Sequence, residues 1–191
     1  MIVNRCLKPL LRCCCLLIAI LFPWASHAQG KMVQVDLLIF THPSNDTSDS
    51  HDKPMLTTNL KDAIPLQGIA HPSRVPYHRL PTSMSHLQRE YWTLRHQPTY
   101  QIVAFESWLQ PSTNRSTVIL PNTPASEWSM EGGIRVLQSN YYLFTSELLF
   151  SKHSAPKTSF IFKQHQRLKP NQVYYIDHPE AGMLIKVSKT D

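Results

Sequence analysis

Asp177 and His178 stand side by side near the C-terminus, in the stretch VYYIDHPEAGMLIKV from Val173 to Val187. A carboxylate touching an imidazole is half of a hydrolytic triad and a common part of a metal shell. Neighbours on a strand point to opposite faces, so the two cannot cooperate if both lie in one. In a turn, Asp177 would accept backbone N–H bonds, Pro179 would fix φ, and Gly182 would provide a permissive exit into a last strand. The turn needs no partner, whereas a reaction needs a nucleophile or a metal.

Neither is offered elsewhere. There is no G-x-S-x-G, H-E-x-x-H or P-loop. Gly132-Gly133 reads as a bend. The ten histidines are irregularly spaced, and several fall in a Ser/Asp/Pro-rich stretch that reads as a solvated loop. No catalytic residue, metal ligand or cofactor is therefore assigned. The aromatic side chains offer a different chemistry. Trp92, Trp108, Trp128 and several tyrosines could stack on sugar rings, with Arg or Lys holding the carboxylates of attached peptides. Their structural alternative is to fill a sheet–helix interface, which is expected for Trp108 and about half of the others.

The start of the chain bounds where such chemistry would act. Arg5, Lys8 and Arg12 precede an apolar run from Cys13 to Phe22, and ASHAQG follows. That is the layout of a signal peptide, residues 1–28, cleaved after Ala28. The run is shorter than the roughly 20 residues of a membrane span. All four cysteines lie in this leader, so the remaining 163 of 191 residues carry no disulfide and no zinc thiolate. Removing three basic residues lowers the formal charge from +6 to +3. That charge is too small to argue for nucleic acid. An exported, thiol-free chain without a second apolar span is expected in a bacterial periplasm, as one domain over 29–191.

The positioning elements follow from periodicity. Val33 to Phe40 alternates as a strand with both faces partly covered. Residues 41–81 form an irregular excursion, within which Ile64, Leu66 and Ile69 can dock on an edge. Met84, Leu87, Tyr91 and Leu94 share one face of a helix, with Ser85 and Gln88 spaced as a capping box. Tyr100 to Pro111 is a second long strand, with Tyr100, Ile102, Ala104, Glu106 and Trp108 on one face. STVILP is a short strand. GGIRVLQ and YYLFTSELLFS form a hairpin about Ser139-Asn140. TSFIFKQHQRL and QVYYIDH form the next about Lys169-Pro170-Asn171, and GMLIKVSK ends the chain. The fold class is α+β: an antiparallel or mixed sheet built mainly of hairpins, with one principal helix packed on it.

These segments resemble the CsiV family of periplasmic peptidoglycan-binding proteins over most of the chain after the leader. VQVDLLIF is similar to the family's opening strand, and YWTLRHQPTYQIVAFESWLQP to a helix leading into a strand that ends in Trp-x-Gln, here Trp108 and Gln110. GGIRVLQSNYYLFTSELLF resembles a Gly-led strand followed by one ending in an acidic-Leu pair, here Glu147-Leu148. YYIDHPEAGMLIKV resembles a Tyr-(Ile/Leu)-Asp-His-Pro-x-x-Gly signature. Family positions that are usually His or Arg carry Phe105, Tyr141, Phe144, Gln166 and Tyr174 here, while Arg167 is kept. The resemblance implies a non-enzymatic envelope protein that binds peptidoglycan. It also implies regulation of a penicillin-binding protein through an outer-membrane lipoprotein activator. With the aromatic content, it directs attention to Trp108, Gln110, Trp128, Arg167, Asp177 and His178 as ligand-binding residues. The competing expectation is an envelope hydrolase using His178 with an acidic partner or a metal.

Overall fold

A computed structural model describes residues 31–43, 55–66, 77–121, 127–155 and 158–190. The leader, Ile69 and residues 44–54 of the excursion lie outside the described residues. Ten strands are described: β1 Met32–Thr41, β2 Ile64–Pro65, β3 His78–Arg79, β4 Gln101–Pro111, β5 Val118–Ile119, β6 Trp128–Gln138, β7 Tyr142–Lys152, β8 Ser159–Leu168, β9 Val173–His178 and β10 Ala181–Lys189. One α-helix, α1, spans Gln88–Arg95.

The α+β class fits broadly, but the strands make two sheets where one was expected. Their orders are β3-β4-β1-β10-β9 and β2-β5-β6-β7-β8. The reason lies in the long strands, most of which are apolar on one full face. Val33, Val35, Leu37 and Ile39 of β1 join Met183, Ile185 and Val187 of β10 in one buried cluster with Ile134, Val136, Phe144, Leu148, Phe150 and Phe162 of the second sheet. Two sheets stacked face to face bury both sets at once. The opposite face of β1 is also closed. Leu38 and Leu87 are fully buried but belong to a separate layer, and Tyr91 of α1 stacks on Phe105 of β4 at 4.4 Å. The helix thus covers the outside of the first sheet.

Several local expectations change. β8 pairs with β7, and β9 pairs with β10, so β8 and β9 are not a hairpin. The turn between them exists, with Asn171 at φ 63°, but it carries the chain from one sheet to the other. The β6–β7 loop has three residues, Ser139 to Tyr141, and is closed by the Ser139 N–H to the Tyr141 carbonyl at 2.8 Å. The helix begins later than its apolar spacing suggests. A 3-10 turn, Thr82–Met84, ends at an extended Ser85, and Leu87 stands at the N-cap without a side-chain hydrogen bond. No capping box forms. The Ser85 hydroxyl accepts the Leu87 N–H at 3.2 Å, the Gln88 amide donates to the Thr82 carbonyl, and Met84 is exposed.

The excursion is partly woven into the fold. Ile64–Pro65 pairs in parallel with Val118–Ile119, and Leu66 is buried in the core. Just before it, Thr57 donates its N–H and hydroxyl to one oxygen of Glu147, and Thr58 donates its hydroxyl to the other. Lys163 stands 3.6 Å away. Burial would raise the Glu147 pKa, but these donors outweigh it and hold the carboxyl at about 2. Residues 55–66 therefore form a strap whose Thr57 and Thr58 are pinned to Glu147 on the outer face of the second sheet and whose Ile64–Leu66 join its edge and the core.

Candidate functional site

The Asp177–His178 pair is strand, not turn. Both residues lie in β9, opposite Gly182 and Ala181 of β10, so their side chains leave on opposite faces. His178 points between the sheets. Its ring stacks on Phe160 at 4.9 Å and lies 5.2 Å from Phe162, both on β8. Its Nδ1 accepts the Glu180 N–H at 3.2 Å. The imidazole therefore closes the β9–β10 turn, the task expected of Asp177, and ties the two sheets together. Burial lowers its pKa, against the Ile161 bond and the Asp177 charge. The ring is thus engaged in closing the turn and in packing on Phe160.

Asp177 faces outward and is exposed. It accepts the Tyr175 hydroxyl at 2.6 Å. Tyr175 is 54% exposed, and its ring lies nearly parallel to Phe40, at 8° and 6.4 Å between centroids. Tyr100 meets Phe40 edge-on at 5.2 Å. Burial, then the hydrogen bond and negative charge of Asp177 and the electrostatic influence of Tyr100, push the Tyr175 phenol up to about 12, so it remains a neutral donor. Gly182 makes this arrangement possible in a way different from the expected permissive exit. It is inside β10 without a positive φ, and a Cβ there would stand 2.4 Å from Phe40 Cζ and 2.9 Å from Tyr175 Cε2. The glycine is required for ring space, not for backbone freedom.

A bulge completes the group. The β1–β4 register shifts between Ile39 and Phe40, so that Ala104 pairs with Ile39 and Ile102 with Phe40. Trp108, Glu106 and Ala104 face the core, while Ile102 and Tyr100 turn to the outer side with Phe40. Uniform alternation had placed all five on one face.

The other expected site residues are dispersed. Trp108 is fully buried between the sheets, and its indole N–H donates to Gln110 Oε1 at 3.0 Å. Gln110 Nε2 then donates to the Val136 carbonyl on the second sheet at 2.9 Å. Both are core connectors with no surface for a ligand. Trp128 is half-buried against Phe160, with Lys152 Nζ 5.9 Å above its ring. Arg167 is exposed on the outer face of the second sheet, stacked 4.7 Å over Tyr141. Of the six, only Asp177 joins the exposed aromatic group. Phe40, Tyr100 and Tyr175 were not singled out by sequence, because their meeting depends on the bulge and on strand order.

A Ser–His–Asp cluster does occur elsewhere. Ser107 donates to Asp36 Oδ1 at 2.6 Å, Gln34 donates to the same oxygen at 2.9 Å, and His86 Nδ1 lies 2.8 Å from Oδ2. The hydroxyl bonds the carboxylate and not the imidazole, and Ser107 is fully buried. A nucleophile must contact its base, so this cluster is a satisfied buried carboxylate under the helix. Among the described residues no group of three or more His, Cys, Asp or Glu is placed to hold a metal.

The sequence matches the model of the CsiV peptidoglycan-binding protein family over residues 9–190. The chain belongs to the CsiV family. No curated protein and no solved structure matches it. In this CsiV chain, the aromatic departures noted above serve packing. Phe105 receives Tyr91, Tyr141 carries Arg167, and Phe144 is fully buried. Tyr174 accepts the Lys169 N–H at 2.9 Å and donates to Gln172 at 3.1 Å, closing the β8–β9 connection. No helix among the described residues is long and apolar enough to cross a membrane.

Proposed function

We propose that this CsiV protein is exported to the periplasm, binds peptidoglycan without cleaving it, and serves there as an adaptor in cell-wall synthesis. Family membership over nearly the whole chain supports the binding role. The observation that carries the non-enzymatic part is the state of His178, the residue on which a hydrolase would rest. Its ring stacks on Phe160, lies beside Phe162 and accepts the Glu180 N–H, which gives it a structural role. The leader over residues 1–28, with its basic start and apolar run, supports export. A penicillin-binding protein regulated through an outer-membrane lipoprotein activator is the partner class that the family resemblance suggests.

The test is co-sedimentation of the purified chain with sacculi, followed by analysis of the released muropeptides. The protein is expected in the pellet, with no soluble fragments released. Protein left in the supernatant at low salt, or fragments whose release disappears in a folded His178→Ala variant, would overturn the reading. Retention of a penicillin-binding protein from envelope extract on the immobilised chain, dependent on the lipoprotein, tests the adaptor role.

A further inference from the structure

The exposed ring of Tyr175 is held in a built setting. Phe40, only 4% exposed, braces it from the side. Gly182 gives both rings their space on the sheet, where any Cβ would displace them. The Tyr175 hydroxyl is fixed by Asp177, and the bulge in the β1–β4 pairing delivers Tyr100 to the other edge. A half-exposed tyrosine fixed at its ring and its hydroxyl is flat, apolar and rimmed by hydrogen-bonding groups. Those are the properties that fit the C–H face of a pyranose ring, with hydroxyls at its rim.

We propose that Tyr175, braced by Phe40 and Gly182 and flanked by Tyr100 and Asp177, is a glycan-stacking subsite for an N-acetylated hexosamine ring of the peptidoglycan strand. This rests on the peptidoglycan-binding reading and names the part of the polymer that is held. Asp177 is an exposed carboxylate at the rim. Lys186 lies on the same outer face of β10 and His42 meets Tyr100 edge-on at 6.5 Å, so the apolar ring face, not net charge, is the feature that selects a sugar. Phe40 lies 8° from parallel with Tyr175 but is buried, so the exposed face belongs to Tyr175. In the complex, Asp177 retains an oxygen that can accept a sugar hydroxyl or amide N–H.

The experiment combines sacculus co-sedimentation with an NMR titration using N-acetylglucosamine tetrasaccharide as the probe. The Tyr175 and Tyr100 ring resonances of the wild-type chain are expected to shift with the tetrasaccharide. Tyr175→Ala, checked for folding by circular dichroism, is expected to weaken sacculus binding about tenfold or more, while Tyr175→Phe retains most of it. Unchanged sacculus binding by Tyr175→Ala overturns the subsite and leaves the peptidoglycan reading standing. Failure of the wild-type chain to sediment with sacculi overturns that reading and the subsite with it. If Tyr175→Ala does not fold, the wild-type titration decides, and unshifted Tyr175 ring resonances overturn the subsite.

Discussion

Trp108 and Gln110 illustrate how a residue that looks like a ligand contact can be a structural relay. An indole N–H buried between two sheets must find an acceptor, and Gln110 supplies it while passing its own N–H to Val136. Gln110→Leu leaves an indole N–H and a carbonyl unpaired. It is expected to cost about 1–3 kcal/mol for each group, measured as a lower urea midpoint, without an effect on sacculus binding beyond that loss. His178 makes a second residue-scale prediction. Its folded pKa is lowered from 6.5, so the unfolded chain takes up the proton first as pH falls. The stability that this neutral ring contributes is complete above about pH 6.5 and is lost as pH falls toward the folded value. Urea denaturation at pH 7.5 and 5.5 is expected to show a weaker protein at 5.5. His178→Phe is expected to narrow that difference while costing about 1–3 kcal/mol at pH 7.5 through its lost hydrogen bonds.

At the scale of elements, the strap over residues 55–66 depends on one carboxylate. Glu147 collects three donors from Thr57 and Thr58. Its folded pKa, about 2, lies below the ordinary carboxyl value of 4.5. Its contribution is therefore present above about pH 4.5 and is lost as pH falls toward 2. Glu147→Gln is expected to cost roughly 1–3 kcal/mol and to speed hydrogen exchange at 57–60 while β1 and β10 amides stay protected. Equal acceleration throughout would show that the strap is not a separate unit. Gly132 makes a sharper element-scale case. It has φ +121°, and a Cβ there would lie 2.1 Å from the Glu147 carbonyl oxygen. Gly132→Ala is expected to strain β6 against β7 and to lower the thermal midpoint more than Gly182→Ala. The latter presses on side chains that have one open flank.

The whole molecule has one core shared by two sheets. Trp108 fluorescence and far-UV circular dichroism are therefore expected to report the same urea midpoint. Separate transitions would mean that the sheets unfold independently. The formal charge of residues 29–191, +3, is small. If aromatic stacking carries glycan binding, raising salt from 50 to 500 mM is expected to weaken sacculus binding only slightly, whereas a strong loss would point to the basic face around Arg167.

Much of this architecture was legible one strand at a time. The alternation in Val33–Phe40, the long strand to Pro111 and the β6–β7 pairing are local, because a period-two pattern and a short connection need no distant information. The helix was legible through Leu87, Tyr91 and Leu94, but its start was not, since an extended Ser85 interrupts the spacing. The β8–β9 pairing was misread for a definite reason. A tight turn implies a hairpin only if both strands stay in one sheet, and the apolar faces of β8 and β9 are buried better on either side of a shared core. The exposed site was the least legible part. Asp177 was visible, but Tyr175, Phe40 and Tyr100 are distant in sequence and meet only through a bulge and the adjacency of β9, β10, β1 and β4. By itself, the sequence determined the family resemblance, the placement of all four cysteines within residues 6–15 and the elements that periodicity defines. The tertiary structure alone decided that Gln110 and His178 are internal, that Trp108 packs between two sheets and not under the helix, and that Tyr175 is presented. Strand alternation sets which neighbours part company, but only the stacking of two sheets sets which face meets water.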